Sequence, residues 1–183
     1  QRLNIDERGE LLGEFAGDDK ILIVSQSGEY QLLGFDLSTH FPEDMVVLEK
    51  FHPKKPVSVI YWDGSKSKYY VKRFMIEASD KKVNFISSSE GSYLEVVSTD
   101  PIPVAEIEFT KERNKDQRPN EQINFEEFIA VKGLKAQGNT LTTYKVKSIN
   151  LVESLEPTVD TPKPEEASDN EDEDTQSQII LDF

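Results

Sequence analysis

The chain has 183 residues, no cysteine and a formal net charge of −14 at pH 7. This length suffices for one domain with its own core. The absence of cysteine excludes disulfides, thiolate zinc sites and cysteine nucleophiles, and it favours a cytoplasmic location. His40 and His52 share no metal-binding spacing, so we predict no metal site. No stretch reaches the roughly 20 apolar residues of a membrane helix, and the start at Gln1 predicts a fragment of a longer protein.

The body of the chain is predicted to be built from β-hairpins. Runs rich in Val, Ile, Tyr and Phe alternate with polar turns, which is typical of strands. In chain order, the predicted hairpins join residues 21–24 to 30–35, 57–62 to 68–74, 83–86 to 93–97 and 128–131 to 141–146. The charged segment 106–124 is predicted as a loop or short helix. Recurring hairpins favour a propeller-like, all-β architecture over residues 1–156, and an irregular β-sandwich is the alternative.

The last part of the chain is strongly acidic. Residues 151–183 hold 11 acids and one base, Lys163, a net charge of −10. Three prolines and the acidic run over 165–174 predict a disordered tail over residues 157–183. The apolar residues 179–183 at its end either dock on the body or remain free.

Basic residues alternate with aromatic ones in the second half of the body, a pattern typical of a surface that follows phosphates. Residues 65–150 carry 14 bases against 12 acids, a net of +2. We expect Lys66, Lys68 and Lys72 on one side of a strand with Arg73 on the other, and Tyr144 and Val146 facing inward. The predicted DNA-binding residues are Lys66, Lys68, Lys72, Arg73, Lys111, Arg113, Lys132, Lys135, Lys145 and Lys147. No phosphate-binding loop or dinucleotide fingerprint is present.

Five segments carry a family resemblance. They are residues 11–15 (LLGEF), 17–24 (GDDKILIV), 34–37 (GFDL), 69–74 (YYVKRF) and 127–139 (EFIAVKGLKAQGN). Together they resemble the C-terminal region of the A subunit of bacterial DNA topoisomerase IV, in the type IIA family that includes gyrase A. The resemblance implies a β-pinwheel, a propeller-like ring of hairpin-built blades whose basic rim binds duplex DNA without sequence specificity and guides it to the catalytic core.

Two departures from the family refine this expectation. The glycine-rich basic box of gyrase has no counterpart beyond Arg8 and Gly9, which favours DNA guiding over wrapping. The family's DNA-cleaving tyrosine follows an arginine, and no tyrosine of this chain does. The resemblance therefore implies no catalytic residue and no cofactor here, with ATP and magnesium used by other domains. It also implies three partners, namely duplex DNA, the remainder of the parent polypeptide and an ATPase B subunit, in the nucleoid.

Two other functions compete with this interpretation. A propeller that binds proteins would use its acidic surface and residues 179–183. A hydrolase propeller is disfavoured, because the sequence offers no convergent histidine, metal or nucleophile set. DNA binding that falls steeply as salt rises would support the DNA-guiding hypothesis over these two alternatives.

Overall fold

A computed structural model describes residues 2–4, 10–36, 41–79, 81–113, 116–152 and 177–182, the first and last of these by backbone only. This part of the chain is nearly all β, as predicted. Its strands are β1 (Arg2–Asn4), β2 (Glu10–Phe15), β3 (Lys20–Ser25), β4 (Glu29–Gly34), β5 (Met45–Lys50), β6 (Pro56–Asp63), β7 (Lys68–Met75), β8 (Val83–Asn84), β9 (Tyr93–Ser98), β10 (Val104–Phe109), β11 (Glu121–Asn124), β12 (Asn139–Thr140), β13 (Val146–Val152) and β14 (Ser177–Asp182). One four-residue helix is found in the described ranges, α1 (Phe125–Phe128), which follows β11. Within the described ranges no helix has the length and apolar character needed to cross a membrane.

The strands form four open, antiparallel sheets. Their orders are β1-β14-β2, β5-β3-β4-β8, β12-β7-β6-β9 and β11-β10-β13. The first two predicted hairpins are confirmed as β3–β4 and β6–β7, the latter pairing over eight residues. Their alternating apolar residues fix both register and turn, so these hairpins are readable from local sequence.

The third and fourth predicted hairpins are wrong. β8 pairs with β4 and not with β9, which pairs with β6. In the fourth region Phe128 belongs to α1, β12 pairs with β7, and β13 pairs with β10. The segment 106–124 also differs from the prediction, because its ends belong to the hairpin β10–β11. Local alternation identifies a strand but does not specify its partner, and here the partners lie in other hairpins.

The pairings follow a repeated rule. Each unit of the chain begins with a hairpin, and the units are β3–β5, β6–β9 and β10–β13. The first strand of the hairpin pairs with a later strand of the same unit. Where the second strand has a further partner, that partner is a short strand from the next unit. This gives the orders β5-β3-β4-β8 and β9-β6-β7-β12, and β13-β10-β11 fills three places of the same pattern. The β3–β4 sheet is thus linked to the β6–β7 sheet, and the β6–β7 sheet to the β10–β11 sheet, by a short strand from the later unit, an arrangement that we call strand exchange.

Consecutive sheets also share their cores. β6 is buried on both faces, with Val57, Val59 and Tyr61 packing against residues of β3 and β4 while Ile60 packs against residues of β10 and β13. A third cluster joins Phe15 to residues of β3. Because strand side chains alternate between faces, a central strand needs apolar residues at successive positions, and β6 has them.

The C-terminal strand connects the two ends of the chain. β14 lies between β1 and β2, and pairs with Leu3 through Leu181 and with Gly13 through Ile179. The prediction of a disordered tail is therefore wrong for Ser177–Asp182, and docking is the outcome for the apolar end up to Asp182. The rest of the predicted tail up to residue 176, and Phe183, lie outside the described residues.

Candidate nucleic-acid interface

Eight of the ten predicted DNA-binding residues are exposed and two are buried. The exposed ones are Lys66, Lys68, Lys111, Arg113, Lys132, Lys135, Lys145 and Lys147. Lys72 and Arg73 retain only 3% and 6% of their accessible surface. Both belong to β7, which is a central strand with another strand on each side. These two predicted residues are therefore buried within the sheet and are not part of the exposed basic surface.

Lys72 is buried between two sheets. Its side chain shares a face of β7 with Tyr70 and Phe74, which belong to the core cluster between the β3–β4 and β6–β7 sheets. The ammonium donates to the carbonyl oxygen of Phe85 at 2.6 Å and also to that of Leu134. Burial lowers the pKa of Lys72 to about 8. Lys72 therefore ties two loops to β7 at the cost of a desolvated charge.

Arg73 faces the opposite side of the sheet within a row of buried polar groups. Ser98, Ser58 and Arg73 are register partners across β9, β6 and β7. Arg73 donates from Nη2 to the carbonyl oxygen of Pro101 at 2.8 Å, while its Nε and the Ser58 Oγ have no partner in the structure. Arg73 thus anchors the turn after β9.

Lys66 and Lys135 flank one cavity of about 520 Å³, which we call the lysine cavity. Its walls are the β6–β7 turn, the loop that follows β8 and the loop over residues 132–138. Buried Lys72 also lines it, so two predicted residues of the β6–β7 hairpin and one from a distant loop come together here. Lys66 additionally places its ammonium 5.6 Å from the centre of the Tyr70 ring.

The loop over residues 132–138 is held rigidly against β7. The Lys132 amide donates to the Arg73 carbonyl at 2.8 Å, and the Tyr61 hydroxyl donates to the Gln137 carbonyl at 2.8 Å. Gly138 has φ +95°, and a Cβ there would lie 2.1 Å from the Val71 carbonyl oxygen. Only glycine permits that approach, so the last glycine of the KGLKAQG motif has a structural reason. The loop therefore presents Lys132 and Lys135 from a fixed backbone.

Lys68 and Lys145 flank a second cavity of about 510 Å³, which we call the aromatic cavity. Its lining contains Trp62, Tyr69, Tyr93 and Tyr144. The Tyr69 and Tyr93 hydroxyl oxygens are 3.0 Å apart, and burial is the main reason that the pKa of Tyr69 is raised. These aromatic residues lie in or beside predicted strands, and the sequence gives no sign that they line one cavity.

Tyr144 does not face inward as predicted. It is 51% exposed, although one edge of its ring contacts buried Phe109, with the ring centroids 6.0 Å apart. The Arg118 guanidinium lies 3.7 Å from the centre of the Tyr144 ring, an arrangement typical of a cation–π contact. Arg118 also forms an ion pair with Glu121. Tyr144 of this pair lines the aromatic cavity, and the contact was not found from the sequence.

The remaining exposed bases differ in their ion pairs and hydrogen bonds. Lys147 pairs with Glu108 at 2.7 Å, and Lys132 donates to the Asn139 amide oxygen at 3.3 Å. Lys111 and Arg113 follow β10 without lining the two cavities. The structure therefore gathers Lys66, Lys68, Lys135 and Lys145 around neighbouring cavities, and both cavities meet at the β6–β7 turn.

These features define an all-β module of interlocked sheets with exposed lysines collected beside two inter-sheet cavities. The chain belongs to the topoisomerase C-terminal domain family of Bacteroidota, whose model matches residues 2–153. No curated protein and no solved structure matches it. The family confirms the resemblance at the level of a topoisomerase C-terminal domain.

Proposed function

We propose that this domain is the non-catalytic DNA-guiding part of a type IIA topoisomerase of the topoisomerase IV kind. It binds duplex DNA through phosphates, along a rim that includes Lys66, Lys68, Lys135 and Lys145. The observation that carries this proposal is the placement of these four exposed lysines around two cavities that share the β6–β7 turn. Phosphate contacts position a protein on DNA without reading its sequence.

The rest of the proposal concerns the parent complex. The interlocked sheets and the pairing of β14 with both N-terminal strands favour a β-pinwheel, in which the blades follow one another around an axis. ATP and magnesium act in other domains, and the partners are the remainder of the parent polypeptide, which carries the DNA-cleaving domain, and a separate ATPase B subunit. The parent enzyme works on the nucleoid in the cytoplasm.

The competing protein-binding function was based on two features, the acidic surface and the apolar residues 179–183, and the structure weakens the second. It relied on residues 179–183 as a free apolar peptide, and the backbone of residues 179–182 is already paired within the first sheet. A strand with partners on both edges offers no free hydrogen-bonding groups to a second protein. The acidic surface remains as its only support.

Duplex binding by the whole chain is expected to fall steeply with salt. Each phosphate neutralised by a lysine releases condensed counterions, so the logarithm of the binding constant falls with that of salt at a slope of about −0.9 per phosphate. We expect a slope between about −3 and −5 for a labelled duplex, measured by fluorescence anisotropy. Equal affinity for unrelated duplex sequences is the second expectation, and no binding at low salt would contradict the proposal.

Neutralising part of the acidic segment is expected to tighten duplex binding. The segment between Val152, which ends β13, and Ser177, which begins β14, carries ten acids and one base. A polyanion tethered to the lysine-bearing body competes with DNA phosphates at high effective concentration. Changing Glu171, Asp172, Glu173 and Asp174 to their amides should tighten binding several-fold at about 0.01 M salt and much less at about 0.15 M, where the Debye length falls from about 30 to about 8 Å.

Amide replacement is preferred to truncation because of β14. Truncation at Pro157 would also remove β14 from between β1 and β2, so a change in affinity could come from the fold. Amide replacement keeps that strand and changes only charge. Affinities equal to those of the unmodified chain at both salt concentrations would leave the acidic segment without this competing role.

A further inference from the structure

The lysine cavity is positively charged within an acidic protein. Lys66, Lys72 and Lys135 line it against one carboxylate, Asp63, a formal charge of +2 in a chain of −14. Asp63 is occupied by its own turn, because Oδ1 accepts from the Ser65 amide at 3.0 Å and from the Ser65 hydroxyl at 2.7 Å. These hydrogen bonds leave Asp63 its negative charge, and the formal charge of +2 for the lining already includes it.

Lys72 is a buried cation without a carboxylate partner among the residues that the structure describes. It is 3% exposed, and no carboxylate among the described residues forms an ion pair with it. An ammonium has three N–H donors, and the carbonyls of Phe85 and Leu134 use two of them. Buried charges in proteins are normally paired, since an unpaired one retains most of its desolvation cost. An anion in the adjoining cavity would supply the missing partner.

The loop after β8 adds neutral donors to the same cavity. The Ser87 and Ser89 hydroxyl oxygens lie 2.8 Å apart, and the Ser89 amide donates to the Ser87 hydroxyl at 3.3 Å. One hydrogen joins the two hydroxyls, which leaves the other for a ligand. Ammonium groups and hydroxyls are the donors that bind the oxygens of phosphate.

We propose that the lysine cavity binds a tetrahedral oxyanion of the phosphate type, with Lys72 as its buried cation and Lys66, Lys135, Ser87 and Ser89 as further donors. This deepens the proposed function, on which it rests where the oxyanion is a phosphodiester of bound DNA. A free phosphate group is the second source of the same chemistry. Binding in this cavity would be localised at one position on the rim, unlike the general electrostatic attraction of an anion to exposed lysines.

The direct test is a titration of the whole chain with inorganic phosphate at constant ionic strength. Backbone amide shifts of residues 87–89 and 134–137 are followed by NMR, with residues 16–19, which lie outside the cavity, as the internal reference. We expect shifts that saturate with a dissociation constant in the millimolar range, about −4 kcal/mol at 1 mM. Shifts that rise linearly, or equally in the reference loop, would overturn the proposal.

Two variants locate the binding. Lys72→Met removes the buried cation, and Lys54→Met removes an exposed lysine that does not line the cavity. The double variant Ser87→Ala/Ser89→Ala deletes the hydroxyls without touching the core, so it keeps the test valid if Lys72→Met does not fold. We expect phosphate affinity to fall at least fivefold in Lys72→Met and in the serine variant, and to stay unchanged in Lys54→Met. Unchanged affinity in the serine variant and in a folded Lys72→Met variant would refute the assignment.

Duplex binding by the same variants identifies the source of the oxyanion. Parallel losses of duplex and phosphate affinity in the serine variant indicate a DNA phosphodiester, whereas loss of phosphate affinity alone indicates a free phosphate group. If the unmodified chain binds no duplex but phosphate still saturates, the proposed function fails and the site stands. If duplex binds and phosphate does not saturate, the site fails and the proposed function stands.

Discussion

Replacing Lys66, Lys68, Lys135 and Lys145 together by glutamine is expected to weaken duplex binding by about 100-fold at low salt. All four side chains are exposed and line one or other of the two cavities. Removing up to four phosphate contacts should also reduce the salt slope by about 3 to 4. Fluorescence anisotropy with one duplex over a salt series measures both quantities.

A second quadruple variant controls for the change in total charge. Lys54, Lys55, Lys81 and Lys82 are equally exposed, and they lie on turns before β6 and β8 that do not line either cavity. Their replacement by glutamine changes the net charge by the same amount, so long-range attraction falls equally. We expect a loss of less than about tenfold. Equal losses in the two variants would mean that overall charge, and not the rim, determines binding.

Lys72 and Arg73 are left out of this experiment because they are buried. A reversed charge at either position would place a carboxylate in the core, and the resulting loss of folding would imitate a loss of DNA binding. The YYVKRF segment (residues 69–74) shows which structural features can be predicted from local sequence and which cannot. Its alternation correctly predicts β7, but the side on which Lys66, Lys68 and Lys72 were expected also carries Tyr70 and Phe74, which belong to the core. The position of β7 in the middle of a sheet depends on β12, which comes some 65 residues later in the chain.

The same limit explains the other differences between sequence and structure. The pattern from Lys20 to Gly34 fixes both strands and the turn of its hairpin, since all contacts are local. β8 and β12 are two residues long, too short for any period to be detected, and yet they link the sheets. The apolar residues of β14 predict a contact but not a partner, because β1 lies at the opposite end of the chain. For the same reason the lysine cavity could not be predicted from the sequence. Ser87, Lys72 and Lys135 come together only because β8 and β12 pair with strands of preceding units.

Strand exchange also explains why the lysines collect where they do. The loop over residues 132–138 leads from α1 to β12, and β12 must reach β7 to complete the sheet. This path carries Lys135 to the turn that bears Lys66. The loop after β8 arrives at the same place, because β8 completes the preceding sheet through β4. The architecture therefore brings loops from two consecutive units of the chain, β6–β9 and β10–β13, to one cavity.

The stability of the protein is expected to depend on pH through Lys72, with a sign opposite to that of a lysine in an ion pair. Burial lowers the pKa of Lys72 from 10.5 to about 8 in the folded state. Below about pH 8 the ammonium is charged in both folded and unfolded chains, so its desolvation cost is fully present. Between about pH 8 and 10.5 the unfolded chain binds more protons, and stability attributable to this residue rises with pH.

The expected rise is about 3 kcal/mol, which follows from a shift of this size at 1.36 kcal/mol per pH unit. It is measured as the difference in unfolding free energy between the unmodified chain and Lys72→Met, by urea titration at about pH 7 and about pH 10.5 in chloride buffers without oxyanions. Taking a difference cancels the ionisation of the tyrosines and of the exposed lysines, which both proteins share. Lys68→Met, an exposed position of the same strand, is the matched control for exchanging a lysine of β7 for methionine. A difference for Lys72→Met that does not change with pH would show that water reaches the ammonium, since desolvation is the only cause of its lowered pKa.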